Sequence, residues 1–148
     1  NGMETRGLVR MHQFEKLELV TITKPEQAMN EFDKKVTLIE QTIQKLGLPY
    51  RVLDLAAHDC QKKEFYAKDI EVWCAAEQRW LEVATIAHCH EYAARRAKLQ
   101  FQNGNKRDYC HTIYGTGGVP LRIMVALLNN YQTKDRELDL PEALKKYM

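Results

Sequence analysis

Between residues 6 and 20 the chain reads RGLVRMHQFEKLELV, and this alternation constrains the fold more than any other stretch. At a strand's period of two, Val9, Met11, Leu17 and Leu19 make one largely apolar face. The other face carries Arg10, His12, Lys16 and Glu18 around a single ring, Phe14. A half-buried strand ordinarily turns a featureless polar face to water. Cation, imidazole, ring, cation and carboxylate in succession suit a ligand with a flat base and charged groups. The plainer reading is a solvated edge strand with one stray phenylalanine.

At 148 residues the chain is one domain, or part of one, with enough length for a real core. A net charge of +2 implies no strongly charged polymer as partner. The four cysteines, Cys60, Cys74, Cys89 and Cys110, form no C-x-x-C pair. They predict buried thiols in a reducing compartment rather than a disulfide framework. No apolar run approaches a membrane span, so no membrane partner is expected. The opening NGMETRG reads as the middle of a loop, which predicts an N-terminal part before it; no targeting segment is visible.

Further along, Thr23-Lys24-Pro25-Glu26 predicts a capping box with proline in the first turn. Met29, Phe32, Val36, Ile39, Ile43 and Leu46 then make one stripe of an amphipathic helix, closed by Gly47. Residues 50–55 (YRVLDL) read as a buried strand and residues 56–68 as a surface loop or short helix. Residues 69–74 and 80–86 are two strands joined as a hairpin through AAEQR. A helical turn follows within residues 88–96, and a strand over 97–102. Asn103-Gly104-Asn105 is a hairpin turn leading into a strand over 109–114 and then Gly115-Thr116-Gly117-Gly118. A final helix from about Pro120 is apolar nearly all round, which predicts burial against the sheet. The tail, ELDLPEALKKYM, reads as a closing surface segment. Hairpin-linked strands with two helices on one face predict an α+β domain with an antiparallel sheet.

Arg122 is the only charge between Val119 and Leu128. A buried guanidinium requires a carboxylate or a phosphate. The bland outcome is a salt bridge to Glu18, Glu71 or Glu82, or a side chain reaching the surface. The preceding glycines would let backbone N–H groups approach an anion at the helix start.

Several blocks together carry a family resemblance. R-G-L-V-R-x-H-Q-F-x-K-x-E resembles the second strand of motif 2 in class II aminoacyl-tRNA synthetases, in its seryl-tRNA synthetase form. H-T-I-Y-G-T-G-G-V-P-L-R-I-M-V-A-L-L-N-N-Y-Q is similar to that family's last strand and motif 3 helix, and L-P-E-A-L-K-K-Y-M to its C-terminal end. G-L-P-Y-R-V-L-D and D-I-E-V-W match internal stretches in the same order. The likeness spans the whole chain and implies the C-terminal part of a class II catalytic domain. The sheet would be antiparallel, of about six or seven strands with flanking helices.

The resemblance also implies roles. Arg122 would contact the ATP phosphates and Phe14 would stack on adenine. Glu82 and Thr85 would hold ATP and its Mg2+. Glu18 would meet the serine ammonium, and Thr116 would stand in for a hydroxyl that contacts serine. The reaction would be adenylation of serine, then transfer to tRNA.

Departures from the family pattern fall where that chemistry is expected. Tyr114 replaces a usual asparagine and is predicted to block the serine pocket. The family's S-N-C-x-D-F-Q-x-R-R stretch appears as Ala87-His88-Cys89-His90-Glu91-Tyr92-Ala93-Ala94-Arg95-Arg96. The loop Asp59-Cys60-Gln61-Lys62-Lys63-Glu64-Phe65 lacks glycine, and Asn129 stands in place of a glutamate. Their grouping around one pocket points to a degenerate, non-catalytic paralogue, with an insect mitochondrial branch of the family as the narrower likeness. Such a protein would form a homo- or heterodimer with a seryl-tRNA synthetase subunit in mitochondria and touch tRNA through its N-terminal part. The competing expectation is a working serine–tRNA ligase. His88-Cys89-His90 with Cys110 and His111 invites a zinc reading, but the spacing is wrong and strand alternation points Cys89 away, so no zinc is expected. Arg95, Arg96, Lys98, Lys106 and Arg107 read as a solvated face without interleaved aromatics.

Overall fold

The computed structural model describes residues 7–148. Its main sheet is antiparallel, with five strands in the order β1-β7-β4-β3-β2. These are β1 (Leu17–Thr23), β2 (Tyr50–Asp54), β3 (Tyr66–Cys74), β4 (Arg79–His88) and β7 (His111–Gly118). A separate two-stranded ribbon pairs β5 (Gln100–Asn103) with β6 (Lys106–Tyr109). Helix α1 spans Ala28–Lys45, α2 Tyr92–Ala97, α3 Pro120–Tyr131 and α4 Glu142–Lys145. The expected α+β class stands. The expected six- or seven-stranded sheet divides five and two among the described residues, because β5 and β6 pair only with each other.

The stripe of α1 behaves as its spacing demands. Phe32, Val36, Ile39 and Ile43 are buried, whereas Met29 is exposed. They form one core with Ile70, Val72, Ile86 and Ile113 of the sheet and with Val125 and Ala126 of α3. Phe32 packs a tilted ring on Tyr66, with centroids 5.1 Å apart. Both long helices thus cover one face of the sheet. Gly47 ends α1 at φ +64°, and a Cβ there would strike the Tyr131 hydroxyl. That hydroxyl donates to the Leu46 carbonyl at 2.8 Å.

Several expectations need correction. The capping box does not form: Pro25–Gln27 make a 3-10 turn, and Thr23 Oγ1 donates to Gln27 Oε1 at 3.2 Å. The first strand covers Leu17–Thr23 rather than residues 6–20, with a 3-10 turn at Gly7–Val9; Arg6 lies outside the described residues. The reason is pairing. β7 offers β1 partners only from Gly118, opposite Leu17, to His111, opposite Thr23. Leu17 is accordingly exposed, with Val20 and Ile22, while Leu19 packs on the core. β2 is an edge strand, not a buried one. Helix α3 buries one side only, leaving Met124 and Leu128 exposed. The strand expected over 109–114 splits at Cys110 into the end of β6 and the start of β7. The thiols follow expectation: Cys74, Cys89 and Cys110 are buried and unpaired, and Cys60 is half-buried.

Candidate active site

The face of the sheet away from α1 and α3 is open at one end and covered at the other, where Ala67 and Ala87 are fully buried. Residues directly opposite in an antiparallel pair project on one face. Register therefore sets Asp69 beside Thr85, Glu71 beside Glu82, Ala87 beside Tyr114 and Glu18 beside Thr116. At one end, the Arg122 guanidinium donates to the Glu82 carbonyl at 2.7 Å and lies 3.4 Å from its carboxylate. The bland expectation for Arg122 is met, with Glu82 as the partner. Phe14, Arg10 and Arg122 line one cleft of about 190 Å3. Arg10 and Arg122 also border an adjoining cleft of about 310 Å3 with Glu71 and Glu82.

Thr85 Oγ1 donates to Asp69 Oδ1 at 2.6 Å and sits 3.4 Å from Glu82 Oε1. Burial pushes the Asp69 carboxyl from 3.8 up to about 6, and the nearby carboxylates of Glu82, Glu71 and Glu64 add to it against the Thr85 hydrogen bond. Glu71 is relieved by Arg51 Nε at 2.6 Å, and Glu82 by Arg122. These clustered oxygens fit a hard cation such as Mg2+. Glu18 forms an ion pair with Lys16 and is partly exposed.

Tyr114 sits on Ala67, Ala87 and Cys89, packed with Leu55 and Cys60. Its hydroxyl donates to the Glu64 carboxylate, and the Lys63 ammonium lies 4.2 Å over its ring. Burial and that carboxylate raise the phenol's pKa strongly, so it stays a neutral donor. Two of the sequence departures are therefore one contact: the glycine-free loop reaches Tyr114 through Glu64. The departures do not all share a pocket, however. Asn129 donates to the Val125 carbonyl at 2.9 Å and lines a separate cleft with Leu8 and Glu77. The basic face has aromatic company after all. Arg96 lies 3.5 Å over Tyr92 one turn back in α2, and Arg95 lies 4.6 Å over Tyr109, which the ribbon brings to the helix.

Arg10 was already on the polar face that carries Phe14, whereas Asp69 and Glu64 were not expected as members of this site. Asp69 faces Thr85 because a bulge between Ile70 and Glu71 shifts the register; straight counting from the Cys74–Arg79 pair would set it opposite Ala84. Glu64 carried no signal, since a loop has no register.

A five-stranded antiparallel sheet with helices on one face and an open face bearing Arg122, Glu82 and Phe14 defines a class. The profile of the tRNA synthetase class II core domain (G, H, P, S and T) matches residues 1–131, and the chain belongs to that family. Within it the chain is seryl-tRNA synthetase-like. It is 41% identical over 147 residues to the serine–tRNA ligase of Nautilia profundicola, covering 99% of this chain and 35% of that relative. It is 42% identical over 148 residues to that of Caldicellulosiruptor bescii, again covering 99% of this chain and 35% of the relative. The fold superposes on seryl-tRNA synthetase from Pyrococcus horikoshii, complexed with ATP, at a TM-score of 0.93 and 32% identity, covering 99% of this chain and 33% of that one. The cytoplasmic enzyme of Naegleria fowleri, in complex with AMP, gives 0.88 at 28% identity over 95% of this chain and 34% of that one. The chain thus spans about a third of the length of these relatives.

Proposed function

We propose that the chain is the C-terminal part of the catalytic core of a serine–tRNA ligase, which joins serine to ATP and passes it to tRNA. The observation that carries this reading is the continuous strip Phe14, Arg122, Glu82 and Thr85 beside the Glu18–Thr116 pair. Relatives near 40% identity named as serine–tRNA ligases support it over the non-catalytic expectation. In this reading Phe14 gives adenine a flat apolar platform. Arg122 gathers charge on the phosphates as the serine carboxylate attacks the α-phosphorus and pyrophosphate departs. Glu82, Thr85 and Asp69 would supply oxygens for Mg2+, which, when bound, would neutralise phosphate charge. Glu18 exchanges Lys16 for the substrate ammonium, and the Thr116 hydroxyl orients it. No side chain acts as a covalent nucleophile.

One observation favours a second reading. The Tyr114–Glu64 hydrogen bond fixes a phenol ring beside the amino-acid end of the strip. A protein so blocked would serve as the non-catalytic partner of an active seryl-tRNA synthetase subunit, in mitochondria. Serine-dependent exchange of pyrophosphate into ATP by the full-length protein separates the two. Exchange that falls at least ~100-fold in Arg122→Ala is expected. No exchange, together with co-purification of a second synthetase subunit, overturns the first reading in favour of the second.

A further inference from the structure

At the far end of β4 the chain gathers three imidazoles that the sequence keeps apart. His88 closes β4, His90 lies in the turn beyond it, and His111 opens β7. The turn is sewn to β7 by Cys89 N–H to the Thr112 carbonyl at 2.9 Å and Thr112 N–H to the His90 carbonyl at 3.0 Å. His90 takes a left-handed backbone with φ 46°, which returns its ring toward the others. Rings of His90 and His111 stack with centroids 4.7 Å apart, and His88 meets His90 at 4.5 Å. One nitrogen from each ring lies within 4.8 Å of the other two. His88 Nε2 and His111 Nδ1 are 3.1 Å apart. Two imidazole nitrogens on one tetrahedral zinc-sized ion stand ~3.3 Å apart, since each bond is about 2.0–2.1 Å.

We propose that His88, His90 and His111 form a binding site for one divalent transition-metal ion of the zinc class, with a fourth position open to the adjoining cleft. Cys89 stays outside the set, packed on Ala67 and Ala87, and ligand spacing along the chain gives no sign of the three histidines together. The third ligand comes from a neighbouring strand, so local spacing could not reveal it.

Further features agree. His88 is only 2% exposed, so its ring is shielded from competing water. Three of the four cations bordering the cleft, which spans about 480 Å3, are engaged elsewhere, and Lys62 is the fourth. Arg95 pairs with Glu91, Arg96 lies on Tyr92 and Lys63 on Tyr114. Phe65 stacks on His90 at 3.7 Å and covers one side.

The test uses the full-length protein without a histidine tag, stripped with chelator and titrated with Zn2+ alone. One Zn2+ per chain is expected by calorimetry and elemental analysis, with a rise in Tm. Co2+ at the same stoichiometry should give visible bands of low-coordinate geometry. His90→Ala and His111→Ala should each weaken Zn2+ binding at least about tenfold while keeping the metal-free Tm. A Cys89→Ser, Cys110→Ser double variant should bind as the parent does. Absence of stoichiometric Zn2+, or binding that survives both histidine variants, overturns the site. Binding lost only in the cysteine variant overturns it as well.

Discussion

Asp69 is half-buried on the open face of the sheet among the carboxylates of Glu82, Glu71 and Glu64. Its carboxyl is shifted up to about 6 from 3.8, so the folded chain holds that proton more tightly than the unfolded chain does. The sign follows by linkage: this group's stabilising share is complete below the unfolded value and is lost as pH rises through about 6. In Mg2+-free buffer, urea midpoints should therefore decline between roughly pH 4 and 7 from this residue. Asp69→Asn should flatten that decline, because the amide oxygen can still accept from Thr85. A slope unchanged in the variant would assign the dependence to other groups. Added Mg2+ should restore stability at neutral pH in the parent and not in Asp69→Asn.

At the scale of elements, the approach of β4 to β7 decides how the site is held. Gly115 stands opposite Ile86, and a Cβ there would lie 2.8 Å from Ile86 Cα and against the Thr85 carbonyl. Backbone cannot yield as a side chain does. Gly115→Ala should cost about 2–3 kcal/mol in denaturant unfolding. Gly117→Ala faces only the Leu17 and Leu19 side chains at 3.0–3.3 Å, and these can turn aside. It should cost less than about 1 kcal/mol. Equal losses at the two positions would contradict this account of the β4–β7 contact.

For the whole molecule, one core ties both helices to the sheet, and Phe32 is fully buried at its centre. Phe32→Ala should cost about 3–5 kcal/mol, a large part of the stability of a domain of this size. A loss near 1 kcal/mol would mean that the surrounding core collapses into the space. Such a core is what periodicity reveals best. The α1 stripe, the hairpin between β3 and β4 and the start of α3 at Pro120 were all legible, because each is encoded within a dozen residues. The limits of β1 and the edge position of β2 were not, since partners distant in sequence set them. The site divides the same way. Arg122 announced itself as a lone charge on an apolar helix, whereas its carboxylate partner, the Glu64–Tyr114 bond and the three-histidine cluster depend on strand order. Helix α3 is clasped at both ends: Arg122 grips the Glu82 carbonyl at its start, and Asn130 and Tyr131 hold the carbonyls of Trp73 and Leu46 at its finish. A helix clasped in this way cannot pivot like a lever. It forms a fixed wall, and any induced fit against it falls to residues 10–16, which no strand pairs among the described residues.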